Sequence, residues 1–147
     1  MYSLRFFFTI FLLVLFLPLS CYSANIYLDP VASKAHDQYL LKVDRIDKLA
    51  GLKVTIKYDS KKNTFESAGK TSATSSFLHV INGKTEGKII VVMASARGVS
   101  GDEIGLISLT FSLAGSKSNT NEKTVSVLNC QLMDEELKEI PCSFVAD

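Results

Sequence analysis

The clearest pattern in the chain is a strict alternation of apolar and polar residues at positions 52–59. Its apolar members are Leu52, Val54, Ile56 and Tyr58, and its polar members are Lys53, Thr55, Lys57 and Asp59. Alternate side chains of a strand point to opposite sides of a sheet, so the pattern predicts a strand with one buried face. A register slip of one residue would put all four apolar side chains in water, which makes this prediction specific.

Other segments carry related patterns. Residues 106–114 alternate in the same way, and residues 88–94 are apolar on both faces, which predicts a strand covered on both sides. Shorter strands are predicted at residues 26–29, 39–45, 64–67, 77–81, 125–133 and 139–144. Residues 44–48 are predicted to link two strands, and residues 98–105, which contain three glycines, are predicted to form a loop. About eight or nine strands at this spacing predict an all-β fold, an antiparallel β-sandwich.

Residues 1–23 have the features of a signal peptide. Arg5 is the only charged residue in this segment, and residues 6–19 are almost wholly apolar. That apolar run is shorter than the roughly 20 residues needed to span a bilayer. It has the length typical of the apolar core of a signal peptide. We therefore expect a secreted, periplasmic or cell-surface protein.

Cleavage after Ser23 is the first interpretation, because it leaves small residues before the cut. Residues 24–147 would then form a single domain. A lipoprotein acylated at Cys21, and attached to a membrane by that lipid, is the second interpretation. It is ranked lower because Pro18 stands where such a site normally has leucine. An uncleaved membrane anchor is the third.

The charge balance of the predicted mature chain is neutral. Of 16 basic residues, removal of Arg5 leaves 16 − 1 = 15, against 15 acidic residues. No basic excess is available to collect phosphates, and no stripe of lysine and arginine with interleaved aromatic residues is present. We therefore do not expect nucleic acid as a partner.

Two cysteines remain after the predicted signal peptide, Cys130 and Cys142. An even pair in an exported protein suggests a disulfide. A polar turn at residues 134–138 would centre on Glu136, and the two cysteines are equidistant from it, so they would face each other across an antiparallel pair. Two buried thiols are the alternative interpretation. Two cysteines and two scattered histidines do not make a tetrahedral metal site at any usual spacing, so no metal is expected.

No arrangement of residues predicts catalysis. His36 and His79 are the only histidines, and neither has a serine or cysteine beside it in a recognisable nucleophile context. Adjacent carboxylates occur in two polar segments, Asp102-Glu103 and Asp134-Glu135-Glu136. Runs of this kind are usually solvated turns, and they lack the regular ligand alternation of a calcium loop. We expect no enzyme and no cofactor.

Direct binding of a polysaccharide has little support in the composition. Flat sugar-binding faces use exposed aromatic rings, and this chain has no tryptophan. Tyr27, Tyr39 and Tyr58 all fall on predicted inward faces. A carbohydrate-binding module therefore stays an alternative to a protein-binding module, as does a structural domain of the cell envelope.

The order of features from residue 49 onward resembles the cohesin family of bacterial cellulosome-type modules. A glycine-containing entry to an alternating strand that ends in Tyr-Asp is matched by Gly51 with Tyr58-Asp59, and the large apolar residue and glycine after the turn by Phe65 with Gly69. A glycine before an aliphatic strand is matched by residues 87–92, and a glycine-rich segment before a strand that ends near phenylalanine by residues 99–101 with residues 106–111. A late Leu-x-Asp followed by Ile-Pro is matched by residues 132–134 with Ile140-Pro141.

The resemblance implies a jelly-roll sandwich and a non-catalytic module that binds dockerin modules through one sheet face. No dockerin-contact residue is carried over from the family. An exposed sheet face with no catalytic loop above it is a natural docking surface, so we predict that the polar side of the alternating strand, formed by Lys53, Thr55 and Lys57, is the binding face. The segment at 98–105 is the alternative. The chain also departs from the family pattern. Dockerin-binding members carry Asn and Asp where this chain has Gly51 and Lys53, and a Glu where it has Ala96. A dockerin-like protein ligand is the expected partner.

Overall fold

A computed structural model describes residues 23–31, 37–113 and 125–144. Residues 1–22 of the predicted signal peptide, with Cys21, and also His36 lie outside the described residues. The described part contains eight strands and no helix, hence no helix that could cross a membrane. The strands are β1 (Ala24–Val31), β2 (Asp37–Tyr58), β3 (Asn63–Lys70), β4 (Leu78–Asn82), β5 (Lys88–Leu113), β6 (Val125–Asp134), β7 (Glu139–Ile140) and β8 (Cys142–Phe144).

Two long strands, β2 and β5, form the spine of the molecule. They contain 22 and 26 residues and pair antiparallel from one end to the other. One half of each long strand belongs to one sheet of a sandwich, and the other half belongs to the second sheet. The front sheet consists of β4, residues 88–94 of β5, residues 51–58 of β2, β6 and β7. The back sheet consists of β3, residues 99–113 of β5, residues 37–46 of β2, β1 and β8.

The buried sides of the two sheets form a single hydrophobic core. In β2 the predicted apolar residues Leu52, Val54 and Ile56 are at most 3% exposed, which confirms the predicted strand and its inward side. The rings of Tyr58 in the front sheet and Phe111 in the back sheet lie 5.4 Å apart between centroids, so the sheets face each other. The all-β sandwich is confirmed.

The long strands pass from one sheet to the other at a corner. Register shifts interrupt the pairing of β2 with β5 between Ile46 and Gly51, and Lys48 there has a left-handed φ of 54°. A Cβ at Gly98 would lie 2.3 Å from the carbonyl oxygen of Lys48, so only glycine lets the two backbones approach this closely.

The corner corrects two predictions. Residues 44–48 do not link separate strands, and residues 98–105 do not form a loop, because both segments lie inside continuous strands. The long strands stay hydrogen-bonded to each other through the bend, and shifts in register absorb the change of direction. The glycines mark a bend in a strand rather than its end.

The segment before β4 is fixed to the back sheet by two threonines. The hydroxyl of Thr71 donates to the carbonyl of Gly105 at 2.6 Å, and the buried hydroxyl of Thr74 donates to the carbonyl of Leu106 at 2.7 Å. The backbone N–H of Phe77 donates to the carbonyl of Thr74, and its ring is buried in the core. The predicted strand at 77–81 therefore starts one residue later, at Leu78.

The C-terminal segment divides between the two sheets. β6 and β7 form an antiparallel hairpin with Leu132 opposite Ile140. After Pro141, which has no N–H to donate, β8 leaves the hairpin and pairs in parallel with β1. The predicted single strand at 139–144 is therefore wrong in its second half. A disulfide joins Cys130 of β6 to Cys142 of β8, with 6.4 Å between the Cα atoms, and so links the front sheet to the back sheet.

Candidate functional site

The outer side of the front sheet, called the front face here, carries the three residues predicted to bind a partner. Lys53, Thr55 and Lys57 alternate with the core residues of β2 and point away from them. Both lysines are exposed and Thr55 is half-buried. Neither lysine forms an ion pair in the part of the chain that the structure describes. The structure thus brings the three side chains together on one surface, and their role stays a prediction.

The strands on either side of β2 give the front face two different halves. Opposite the three residues, β5 places Val92, Ile90 and Lys88, and β6 places Gln131, Asn129 and Ser126. The β5 half continues onto β4, where Leu78 and Val80 are 80% and 68% exposed. The front face is therefore largely apolar on its β4 and β5 side, and polar but uncharged where β6 runs beside Lys53, Thr55 and Lys57.

A groove of about 680 Å³ opens at the end of the front face nearest the corner. Its floor contains Gly51, which pairs with Ala94 of β5 on one side and with Met133 of β6 on the other. Because Gly51 has no side chain and Ala94 has only a methyl group, the surface is concave here. A Cβ on Gly51 would come 3.4 Å from the Cβ of Met133, which is ordinary contact, so a side chain could be placed there without strain in the backbone.

Apolar side chains form the walls of the groove. Val92, Met133 and Leu137 line it and are 40%, 45% and 79% exposed. Leu137 lies in the turn between β6 and β7 with a left-handed φ of 63°. Such a conformation is costly for a bulky residue, and strain of this kind clusters at binding sites. Leu137 is thus displayed beside the groove at some conformational cost.

Carboxylates occupy the rim next to Leu137. Asp134 accepts hydrogen bonds from the backbone N–H groups of Glu136 and Lys138, at 2.8 and 2.9 Å, which fixes the turn. Glu135 accepts from the N–H of Gly98 at 3.3 Å, and its other oxygen lies 3.4 Å from Nζ of Lys48. The hydrogen bond with Glu135 raises the pKa of Lys48. The rim is therefore tied to the corner.

Charge along the front face is polarised. Lys57 and Lys88 lie directly opposite each other on β2 and β5, so cations meet at the end far from the groove. Asp134, Glu135 and Glu139 line the groove at the other end. A ligand that follows the direction of β2 would therefore meet positive charge at one end and negative charge at the other.

The other candidate residues do not assemble into a site. His79 is exposed on β4. Asp102 and Glu103 lie within β5 rather than in a loop, and Arg45 Nε donates to Asp102 at 3.0 Å. Among the described residues, no group of three His, Cys, Asp or Glu side chains could hold a metal ion.

The tyrosines agree only in part with prediction. Tyr58 is buried, and the ring of Tyr39 packs edge-on against Phe111 with 5.8 Å between centroids. Tyr27 was predicted to point inward, and that is wrong. It pairs with Lys42 between two inward-facing residues of β1, Ile26 and Leu28, so its half-buried ring lies on the outer side of the back sheet.

The groove was not predicted, although the sequence contained a sign of it. The three positions where the chain departs from the cohesin pattern, Gly51, Lys53 and Ala96, all line the groove. Only Lys53 was counted as a binding residue. The departures appeared scattered along the sequence because they lie on two strands, and the pairing of β2 with β5 brings them together.

Solved structures resemble this fold. A non-cellulosomal cohesin from the archaeon Archaeoglobus fulgidus is 16% identical, with a TM-score of 0.66 over 84% of this chain and 86% of that one. The sixth cohesin of scaffoldin B from Acetivibrio cellulolyticus, solved in complex with a dockerin, is 19% identical, with a TM-score of 0.67 over 84% and 95%. A cohesin module of a Clostridium perfringens family 33 glycoside hydrolase is 9% identical, with a TM-score of 0.60 over 84% and 97%.

No protein-family model matches the sequence, and no curated protein matches it. The likeness is one of fold, and it confirms the resemblance read from the order of strands: the fold is cohesin-like.

Proposed function

We propose that this protein is a non-catalytic binding module that captures a dockerin-like protein on its front face. The observation that carries the proposal is the groove, which is lined by exposed apolar side chains at the end of a face whose two lysines make no ion pair in the described part of the chain. The Acetivibrio cellulolyticus cohesin, which shares the fold, was solved in complex with a dockerin, and this supports the choice of partner.

The chemistry of the face defines what the ligand must offer. Binding energy usually concentrates in a few apolar or aromatic side chains that fill a pocket near the centre of an interface. We infer that the groove receives one such side chain between Met133 and Leu137. Carboxylates of the ligand would face Lys53 and Lys57, and a cation would face the acidic rim. These charges would orient the ligand and speed association more than they add affinity.

The alternatives receive less support from the same surface. Within the described residues the front face presents no aromatic ring on which a sugar could stack. A purely structural role in the cell envelope would not require exposed apolar walls around a groove. A glycan array probed with the purified protein tests the first alternative, because strong binding to one polysaccharide class would contradict the proposal.

Export is a second part of the proposal. The apolar segment at residues 6–19 and the disulfide between Cys130 and Cys142 both suit a secreted or cell-surface protein. N-terminal sequencing of protein recovered outside the cytoplasm should begin near Ala24. Protein that keeps Met1 and stays in the cytoplasm would contradict export without bearing on the binding face.

The binding test uses a panel of dockerin modules and a substitution that fills the groove. Gly51→Gln places a side chain on the groove floor without a backbone clash, and it should weaken capture of any binding dockerin at least about tenfold. The matched control is Ser108→Gln, at an exposed position of the back sheet. Thermal melts should show that both variants remain folded.

Charge reversal tests the rest of the face. Lys53→Glu and Lys57→Glu should slow association, with the largest effect at low salt. If no dockerin in the panel binds, or if both glutamine variants bind as well as the wild-type protein, the front face is not a dockerin site.

A further inference from the structure

The outer edge of β4 is a second surface with a definite chemistry. β4 forms five consecutive pairs with β5, from Leu78 opposite Ala94 to Asn82 opposite Ile90, without a register shift. No other strand in the described part of the chain pairs with it. Half of its backbone N–H and C=O groups therefore point away from the sheet, and an open strand edge of this kind is a template for another strand.

The remaining edges carry features that discourage such pairing. β7 and β8 contain only two and three residues. β3 carries Glu66 and Lys70 and has a register shift between Phe65 and Ser67. β6 is bulged near Leu128 and tied to β8 by its disulfide. Short length, charge and bulges are the usual protections of a sheet edge.

β4 has none of these protections. Its sequence, Leu-His-Val-Ile-Asn, contains no lysine, no carboxylate and no proline. Leu78 and Val80 share the outer side of the sheet with Ala94 and Val92 and are among the most exposed apolar residues described. An uncharged, largely apolar and unbulged edge of this kind would favour aggregation unless it has an occupant.

We propose that β4 pairs antiparallel with β4 of a second copy of this chain, so that two front sheets join into one continuous sheet across a two-fold axis. The free groups are backbone groups, so the occupant has to be an extended strand. The second copy supplies one that is already formed and carries no charge to repel its mate. Its self-complementarity suits the isologous contact of a two-fold dimer.

A register centred on Val80 pairs all five residues of the strand. Val80 of one copy then lies opposite Val80 of the other, and Leu78 lies diagonal to it on the same outer side. β-branched pairs of this kind stabilise antiparallel strands. An edge of five residues buries less area than a standard interface, so the dimer forms only at high protein concentration. It places two front faces side by side, and it does not depend on what those faces bind.

Sedimentation equilibrium of the purified protein over a roughly hundredfold range of concentration tests the dimer. The average mass should rise from monomer towards dimer. Val80→Lys puts a charge at the centre of the edge and should weaken self-association at least about tenfold. Val92→Lys is the matched control, one strand further in on the same face. It should leave self-association unchanged, and thermal melts should show that both variants fold.

A wild-type protein that stays monomeric at the highest concentration overturns the proposal. Equal weakening by Val92→Lys and Val80→Lys also overturns it, because it would indicate stacking of faces rather than pairing of edges, and so does persistent dimerisation of Val80→Lys.

Mild oxidation of a cysteine variant gives an independent readout. Directly opposite residues in an antiparallel pair have Cβ atoms about 4.5–5.5 Å apart, so Val80→Cys should form a covalent dimer that reducing agent dissolves. The control Leu128→Cys, 51% exposed on β6, should stay monomeric. If both variants cross-link to the same extent, collisions explain the result and the proposed pairing is wrong.

Discussion

The outer sides of the two sheets differ in how their polar side chains are paired. On the back sheet, polar side chains pair with each other. Lys42 forms an ion pair with Asp29 at 2.5 Å, and the backbone and side-chain N–H groups of Asn25 both donate to Asp44 at 2.8 Å. Desolvation is the largest single influence on Asp44 and would raise its pKa, but the hydrogen bonds together outweigh it, so the pKa of Asp44 is lowered.

The two lysines in the middle of the front face lack this pairing within the described residues. Lys53 and Lys57 make no ion pair within the described residues, Lys57 even lies opposite Lys88, and the neighbouring side chains on β4 and β5 are apolar and exposed. Both outer sides belong to the same two long strands, but to different halves of them. The polar groups of the back sheet thus pair with each other, whereas Lys53 and Lys57 of the front face form no such pair within the described residues.

The largest expected effect lies on the inner side of the front sheet. Ile56 is fully buried, so Ile56→Lys should prevent folding, because an unpaired charge is not accommodated in the core. Ile56→Ala should lower the free energy of unfolding by about 2–5 kcal/mol through lost burial and the cavity left behind. Lys57→Ala, next along the strand, should change it by less than about 0.5 kcal/mol. Urea denaturation measures all three, and tolerance of Ile56→Lys would invert the assignment of faces.

The next effect concerns the corner that separates the two sheets. Gly98→Ala forces a Cβ against the backbone carbonyl of Lys48, which has no flexible end that could move aside. We expect a loss of about 3 kcal/mol or more in the free energy of unfolding. Gly69→Ala is the control, because its Cβ would meet only the side-chain oxygen of Ser108 at 3.3 Å. Equal urea midpoints for the two variants would show that the strands do not cross this closely.

The disulfide should have a smaller effect. Replacing Cys130 and Cys142 together by alanine removes the covalent cross-link between the sheets, which closes a short loop of the chain. The free energy of unfolding should fall by about 2–3 kcal/mol, because the unfolded chain gains conformational entropy. Non-reducing peptide mapping should recover the bridged peptides from wild-type protein. Two thiols that titrate freely in freshly purified, folded protein would contradict the pairing.

The smallest effect compares the two outer sides directly. Lys42→Glu breaks the ion pair with Asp29 and sets two carboxylates together, so it should lower the denaturation midpoint. Lys57→Glu should change stability by less than about 0.5 kcal/mol, and in the favourable direction, because it removes the repulsion with Lys88. If the front-face variant is the more damaging of the two, the front face is part of the stabilising framework and the contrast fails.

Much of the fold could be predicted from local patterns. The alternation at residues 52–59 identified the buried side of β2, because the side-chain period of two is a property of a single extended chain. The equal distance of Cys130 and Cys142 from a polar turn indicated the disulfide, although the predicted antiparallel pair between them is wrong, because β8 pairs with β1 and not with β6. The exposure of Lys53 and Lys57 followed from the same alternation.

What only the tertiary structure decided depends on contacts between distant residues. Glycines in the segment at 98–105 indicated a loop, yet that segment stays in β5 because β2 pairs with it through the corner. The residues of β8 were predicted to end a hairpin, yet they pair in parallel with β1, which lies more than a hundred residues earlier in the sequence. The groove needed Gly51, Ala94 and Met133 on three adjacent strands. Alternation determines which side of a strand is buried, but the hydrogen bonds and packing between strands far apart in sequence determine which strands are neighbours, and a surface site is made of neighbours.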